Sequence, residues 1–180
     1  MASPKPVIIA PYDPAWPGQF SELRQTLCLA LGELALEVEH VGSTAVPGLP
    51  AKPILDLDVV IPSPELLPLV IQRLFGLGYL YQGDLGVPGR EAFARSDEMT
   101  PKDGRHGVWP EHHLYACARD SLELARHLAF RDYLRANPEA AWAYAALKQY
   151  LAQRYRNDRE AYTGGKTAFV EEALRKTMGQ

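Results

Sequence analysis

Residues 39–61 read EHVGSTAVPGLPAKPILDLDVVI, and this stretch decides what fold the chain can take. Its last third, residues 54–61, is apolar and often β-branched apart from Asp56 and Asp58, the composition of a strand inside a sheet. Side chains alternate along a strand, so Asp56 and Asp58 leave the same face. Two carboxylates that close repel each other unless a cation lies between them. A hard divalent ion, Mg²⁺ above all, suits two oxygen ligands of this kind and commonly takes phosphate oxygens as well. The plainer alternative for either acid is a salt bridge, because a buried charge without a partner is costly.

Working upstream, residues 36–41 form a second candidate strand that ends at Gly42-Ser43-Thr44. Glycine lets the backbone turn tightly and approach a ligand closely. The N–H groups of such a turn, with two hydroxyls beside them, can cradle an anion; the same groups would serve a helix cap. Lys52 lies four residues before Asp56 in a Gly/Pro-rich loop, placed to neutralise a phosphate or to pair with a strand acid.

A strand, a Gly-Ser turn, twelve intervening residues and Asp-x-Asp on another strand resemble the nucleotidyltransferase superfamily that includes the β-type DNA polymerases. That resemblance implies that Gly42, Ser43 and Thr44 hold a nucleotide's terminal phosphates and that Asp56 and Asp58 are metal-binding catalytic acids. The full string HVGSTAVPGLPAKPILDLDVVI is more specific. Together with PYDPAWPGQF at residues 11–20, FRDYLR at residues 130–135, and Tyr144, Leu147-Lys148, Tyr162 and Lys166, it resembles the GrpB family over nearly the whole chain. The resemblance implies a nucleotidyltransferase-like fold and singles out Arg131, Lys148 and Lys166 as basic candidates for an anionic ligand. Related domains are fused to dephospho-coenzyme A kinases, which allows an accessory binding role.

One position breaks the superfamily pattern. Active transferases often carry a third carboxylate on the strand that here reads HHLYACA, where His113 and Tyr115 share a face with Cys117 and neither is acidic. His113 offers a metal ligand, a general base or a hydrogen-bonded structural histidine. Glu91, Asp97 and Glu111 lie near in reading order as substitutes. In-line transfer through two metals needs enough carboxylates to hold both ions.

Composition sets the outer bounds. The chain has 180 residues, 47% of them hydrophobic and 23% charged, as expected of one globular domain spanning 1–180. It has no run of eighteen apolar residues for a membrane span and no long apolar core of a secretory signal. Cys28 and Cys117 make neither a disulfide framework nor a zinc signature, so a reducing cytoplasm is expected. A net charge of −3 argues against coating extended nucleic acid. The charge is unevenly placed: net −6 over residues 1–118 and net +3 over residues 119–180. A basic second half facing an acidic pair suits an anionic ligand between them; a helical tail with solvated Arg and Lys would show the same bias.

Residues 7–9 read as a short edge strand, and Asp13-Pro14 as the start of an amphipathic helix carrying Phe20, Leu23, Leu27, Leu31 and Leu34. A helix follows from Ser63-Pro64 to about Phe75, with Pro68 delaying its start. Residues 79–82 and 91–95 are two further strands, and residues 97–110, polar and rich in charge, Gly and Pro, read as a mobile surface loop that could serve as a lid. After residue 118 the pattern is helical, with starts at Ser121, at Asn137-Pro138 and near Lys166 or Thr167.

The expected architecture is α/β (α+β): a small mixed sheet flanked by helices in residues 1–118, with a C-terminal helical cap in 119–180. The expected function is Mg²⁺-dependent transfer of a nucleotidyl group from a nucleoside triphosphate to a small molecule or protein. The alternatives are a binding domain for a nucleotide or other phosphorylated small molecule without turnover, and a structural protein with a vestigial pocket.

Overall fold

The computed structural model describes residues 6–179. The two strands expected around the Gly-Ser turn, β1 (Glu37–Val41) and β2 (Leu55–Ile61), pair antiparallel. β2 then runs parallel to β5 (His112–Ala118), and β4 (Glu91–Arg95) and β3 (Tyr79–Tyr81) complete the sheet antiparallel. The strand order is β1-β2-β5-β4-β3, a mixed five-stranded sheet with β2 and β5 inside it.

Strand alternation divides the chemistry of the two faces. Leu55, Leu57, Val59 and Ile61 of β2 and Leu114 and Ala116 of β5 enter the main core. There they meet Leu23, Leu27 and Leu31 of α1 (Trp16–Leu31) and Val70 and Leu74 of α2 (Leu67–Gly76). The intervening residues face the other way. Asp56 pairs in register with His113, Asp58 with Tyr115 and Val60 with Cys117, so these six side chains share the second face.

Four helices follow the sheet: α3 (Leu122–Ala136), α4 (Pro138–Arg154), α5 (Arg159–Gly164) and α6 (Thr167–Met178). Leu124 of α3 packs on Val60 and Cys117. Leu134 and Tyr144 close over Val46 and Leu49, clamping α3 and α4 to the loop after Gly42. Among the described residues no helix is long and apolar enough to cross a membrane.

Three local expectations need correction. Residues 7–9 form no strand: Ala10 makes an isolated bridge to Ala51, while Val7 packs on Leu151, Ala152 and Tyr162. The first helix begins at Trp16, because Asp13 accepts from the N–H of Ala15 and holds a turn ahead of it. Residues 97–110 are not a free lid. Trp109 is buried in the main core and its indole N–H donates to the Pro101 carbonyl at 2.8 Å. Asp97 pairs with Lys102, and Arg95 donates to the carbonyls of Glu98 and Pro110.

Candidate functional site

Gly42 ends β1 with φ +72°, a conformation few other residues accept. It also has no room for a side chain, since a Cβ there would collide with Asp56 Oδ2. The turn therefore lies directly against the first strand acid. Ser43, Thr44 and Ala45 continue as a single 3-10 turn. The Thr44 hydroxyl is engaged with His40 Nε2 at 2.9 Å, and burial pushes His40 down to about 4.

The turn forms one wall of a cavity of about 360 Å³ between the sheet and helices α4–α6. Asp56 and His113 line it from the sheet side, and four cations enter it: Lys52, Lys148, Arg159 and Lys166. Tyr144, Tyr162 and Phe130 supply its apolar surface. Lys166 Nζ lies 4.6 Å from the Tyr162 ring centroid and Lys52 Nζ lies 5.8 Å from it, so the electron-rich ring attracts both ammonium groups. Lys148 is only 2% exposed and donates to the Pro50 carbonyl.

None of Lys52, Lys148 and Lys166 makes an ion pair within 4 Å among the described residues. Their electrostatics follow from burial and from one another. Burial, then Lys166 and Lys52, lower Lys148 to about 7. Burial and Lys52 lower Lys166 to about 8 against the opposing pull of Asp56. Lys52 is lowered by burial and Arg159, with Asp56 and Glu111 opposing. A cluster of this kind is short of negative charge, and an entering anion would relieve it.

The two strand acids do share a face, as the alternation requires, yet their surroundings differ. Asp56 remains about one third exposed, and its Oδ1 accepts from His113 Nδ1 at 2.8 Å. Asp58 is completely buried and lines none of the cavities on this face. Its Oδ2 is bonded to His127 Nδ1 of α3 at 2.6 Å, and its Oδ1 is buried with no hydrogen-bond partner. Burial pulls the His127 pKa down, but the Asp58 hydrogen bond and the charges of Asp58 and Glu123 outweigh it and leave it raised. Asp58 therefore departs from the expected role of metal ligand and catalytic acid, because α3 delivers a histidine that closes over it.

That donor set does not fit a bridging Mg²⁺. The ion needs near-octahedral oxygen coordination and keeps several of its waters. Here one oxygen of each acid carries an imidazole N–H, Asp56 Oδ2 lies against Gly42, and Asp58 Oδ1 has no access to solvent. Tyr115 stands opposite Asp58 where a third acid would complete the set. No group of three or more His, Cys, Asp or Glu among the described residues is arranged to hold a metal ion.

Of the residues singled out in the sequence, the fold brings Gly42, Ser43, Thr44, Lys52, Asp56, His113 and Lys166 to one cavity. Arg131 does not reach it. Its guanidinium donates to Glu39, to the His40 carbonyl and to Asp132, which ties α3 to β1. Lys148 lines the same cavity. Two participants were missed, Arg159 and His127. His127 lies four residues before Arg131 and four after Glu123, on one helix face, which was the available signal.

The fold has the form of a nucleotidyltransferase core. The Cid1 poly(U) polymerase, whose structure was solved with MgGTP bound, superposes with a TM-score of 0.54 over 81% of this chain and 45% of its own, at 16% identity, a likeness of fold alone. The chain belongs to the GrpB protein family, whose profile matches residues 6–176. The crystal structure of the conserved protein GrpB from Enterococcus faecalis superposes with a TM-score of 0.81 at 37% identity, covering 96% of this chain and 98% of that one. UPF0157 protein PA4798 of Pseudomonas aeruginosa is 40% identical over 94% of this chain and 67% of its own length. A dephospho-CoA kinase of Mycolicibacterium paratuberculosis is 30% identical over 95% of this chain, which spans 46% of that larger protein.

Proposed function

We propose that this chain binds a phosphorylated small molecule, with a nucleotide as the leading ligand, in the cavity between the Gly42 turn and helices α4–α6. One observation carries the reading: Lys52, Lys148, Arg159 and Lys166 converge on a cavity in which, among the described residues, Asp56 is the lining acid. Its volume of about 360 Å³ is within the usual range for small-ligand pockets. The half-exposed Ser43 lies on the same wall to accept or donate to a phosphate oxygen. The Tyr162 and Tyr144 rings are buried in the wall, with Lys166 and Lys52 over the first and Lys148 over the second, so they hold the cations against the cavity.

Nucleotidyl transfer is the second reading. It is favoured by the contact of Asp56 with the Gly-Ser turn and by the nucleotidyltransferase-like fold. Against it stands Asp58, enclosed beneath His127. A thermal-shift panel of nucleoside mono-, di- and triphosphates and inorganic phosphate tests the first reading, since a ligand of the native state raises its melting temperature by mass action. Stabilisation by triphosphates that is lost in Lys166→Met is the expected result. No shift with any phosphate compound would contradict it. Pyrophosphate release from a bound triphosphate would move the assignment to the second reading.

A further inference from the structure

We propose that the pocket takes the phosphate chain of its ligand directly on side-chain cations, as the metal-free anion, with no divalent ion bridging ligand and protein. The inference rests on the phosphate-binding reading and specifies the form of the ligand. Two independent features of the structure support it.

The first is the state of the strand acids. A bridging ion needs two carboxylates that turn oxygen lone pairs toward the same exposed point. Asp56 and Asp58 instead each accept an N–H from a histidine, at 2.8 and 2.6 Å, and these histidines come from different elements, β5 and α3. Asp58 has no exposed atom through which a hydrated ion could reach it. One oxygen of each acid thus has a donor within the protein, while Asp58 Oδ1 is enclosed without a partner and Asp56 Oδ2 lies against Gly42, so the remaining oxygens do not converge on an open point.

The second is the supply of positive charge on the other side of the cavity. Mg²⁺ neutralises part of a polyphosphate's charge, whereas the metal-free anion leaves all of it to side-chain cations. This cavity presents four. Three are lysines without a carboxylate partner within 4 Å among the described residues, and burial first, then neighbouring cations, lower the proton affinity of each. Four cations facing acids that each already hold a histidine N–H match a ligand that brings its full negative charge.

The test is calorimetric titration of ATP into the full chain, once in EDTA and once in excess Mg²⁺. The expected result is binding in EDTA that weakens by about tenfold with Mg²⁺, the scale of one lost charge contact. Binding that appears only with Mg²⁺ would overturn the inference and leave the phosphate-binding reading standing. Absence of binding in both conditions would remove that reading and the inference with it. A second measurement needs no nucleotide. Mn²⁺ titrated into the chain and followed by electron paramagnetic resonance should keep the signal of the free ion. One tightly bound Mn²⁺ per chain, lost in Asp56→Asn, would overturn the inference.

Discussion

Gly42 shows how much a single residue can decide. Its positive φ and its contact with Asp56 Oδ2 both forbid a side chain. Gly42→Ala is expected to cost at least about 1–2 kcal/mol from the backbone alone and to push Asp56 away from the turn, measurable by urea denaturation and by loss of ligand stabilisation. Asp58 and His127 are a second case. Removing one partner of a buried pair leaves an uncompensated group, so His127→Ala is expected to lose about 3–5 kcal/mol, and adding Asp58→Asn should restore part of it. A smaller loss, or no recovery in the double variant, would show that the pair is not coupled. The lysines give a signed pH dependence. Lys148 and Lys166 titrate at about 7 and about 8 in the folded chain, below the value near 10.4 of a free lysine. Above pH 7 the unfolded chain therefore holds more protons than the folded one, and stability of the ligand-free protein should rise with pH. Anion affinity should fall over the same interval as the charges that attract it are lost. Lys148→Met should flatten much of the stability slope.

At the scale of elements, β2 and β5 were legible because alternation is strict in both. Every second residue of LDLDVVI and HHLYACA enters the core, so the shared face of Asp56, Asp58, His113 and Tyr115 followed from counting. What lies above that face was not legible, since His127 meets Asp58 from 69 residues further along and no local pattern reports such a meeting. Helix α5 has six residues, too few to show an apolar period, so the sequence carries no signal for Arg159. The family string FRDYLR singles out Arg131 for an anion, but a string does not report the Glu39 carboxylate that pairs with it at 2.7 Å. Residues 97–110 looked like a lid because their composition is that of a loop. Composition did not show that Trp109 would leave the polar run and enter the core. Trp109→Ala is expected to cost about 3–5 kcal/mol and to speed amide hydrogen exchange through residues 97–110. Unchanged exchange there would mean that the polar contacts hold the loop by themselves.

Across the whole molecule, the charge bias between residues 1–118 and 119–180 now has a location. Asp56 from the first part faces Lys148, Arg159 and Lys166 from the second across one cavity, with Lys52 on the near rim. The two parts are joined by apolar packing of Leu134 and Tyr144 on Val46 and Leu49 and by Arg131 on Glu39, which fixes the cavity's width. The most direct measurement of the account is the equilibrium affinity for ATP of the wild-type chain and of Lys166→Met, at pH 6.5 and at pH 9. The account predicts one site per chain, weakened by the substitution and weakened again at the higher pH. Equal affinities for the two proteins, or tighter binding at pH 9, would contradict it.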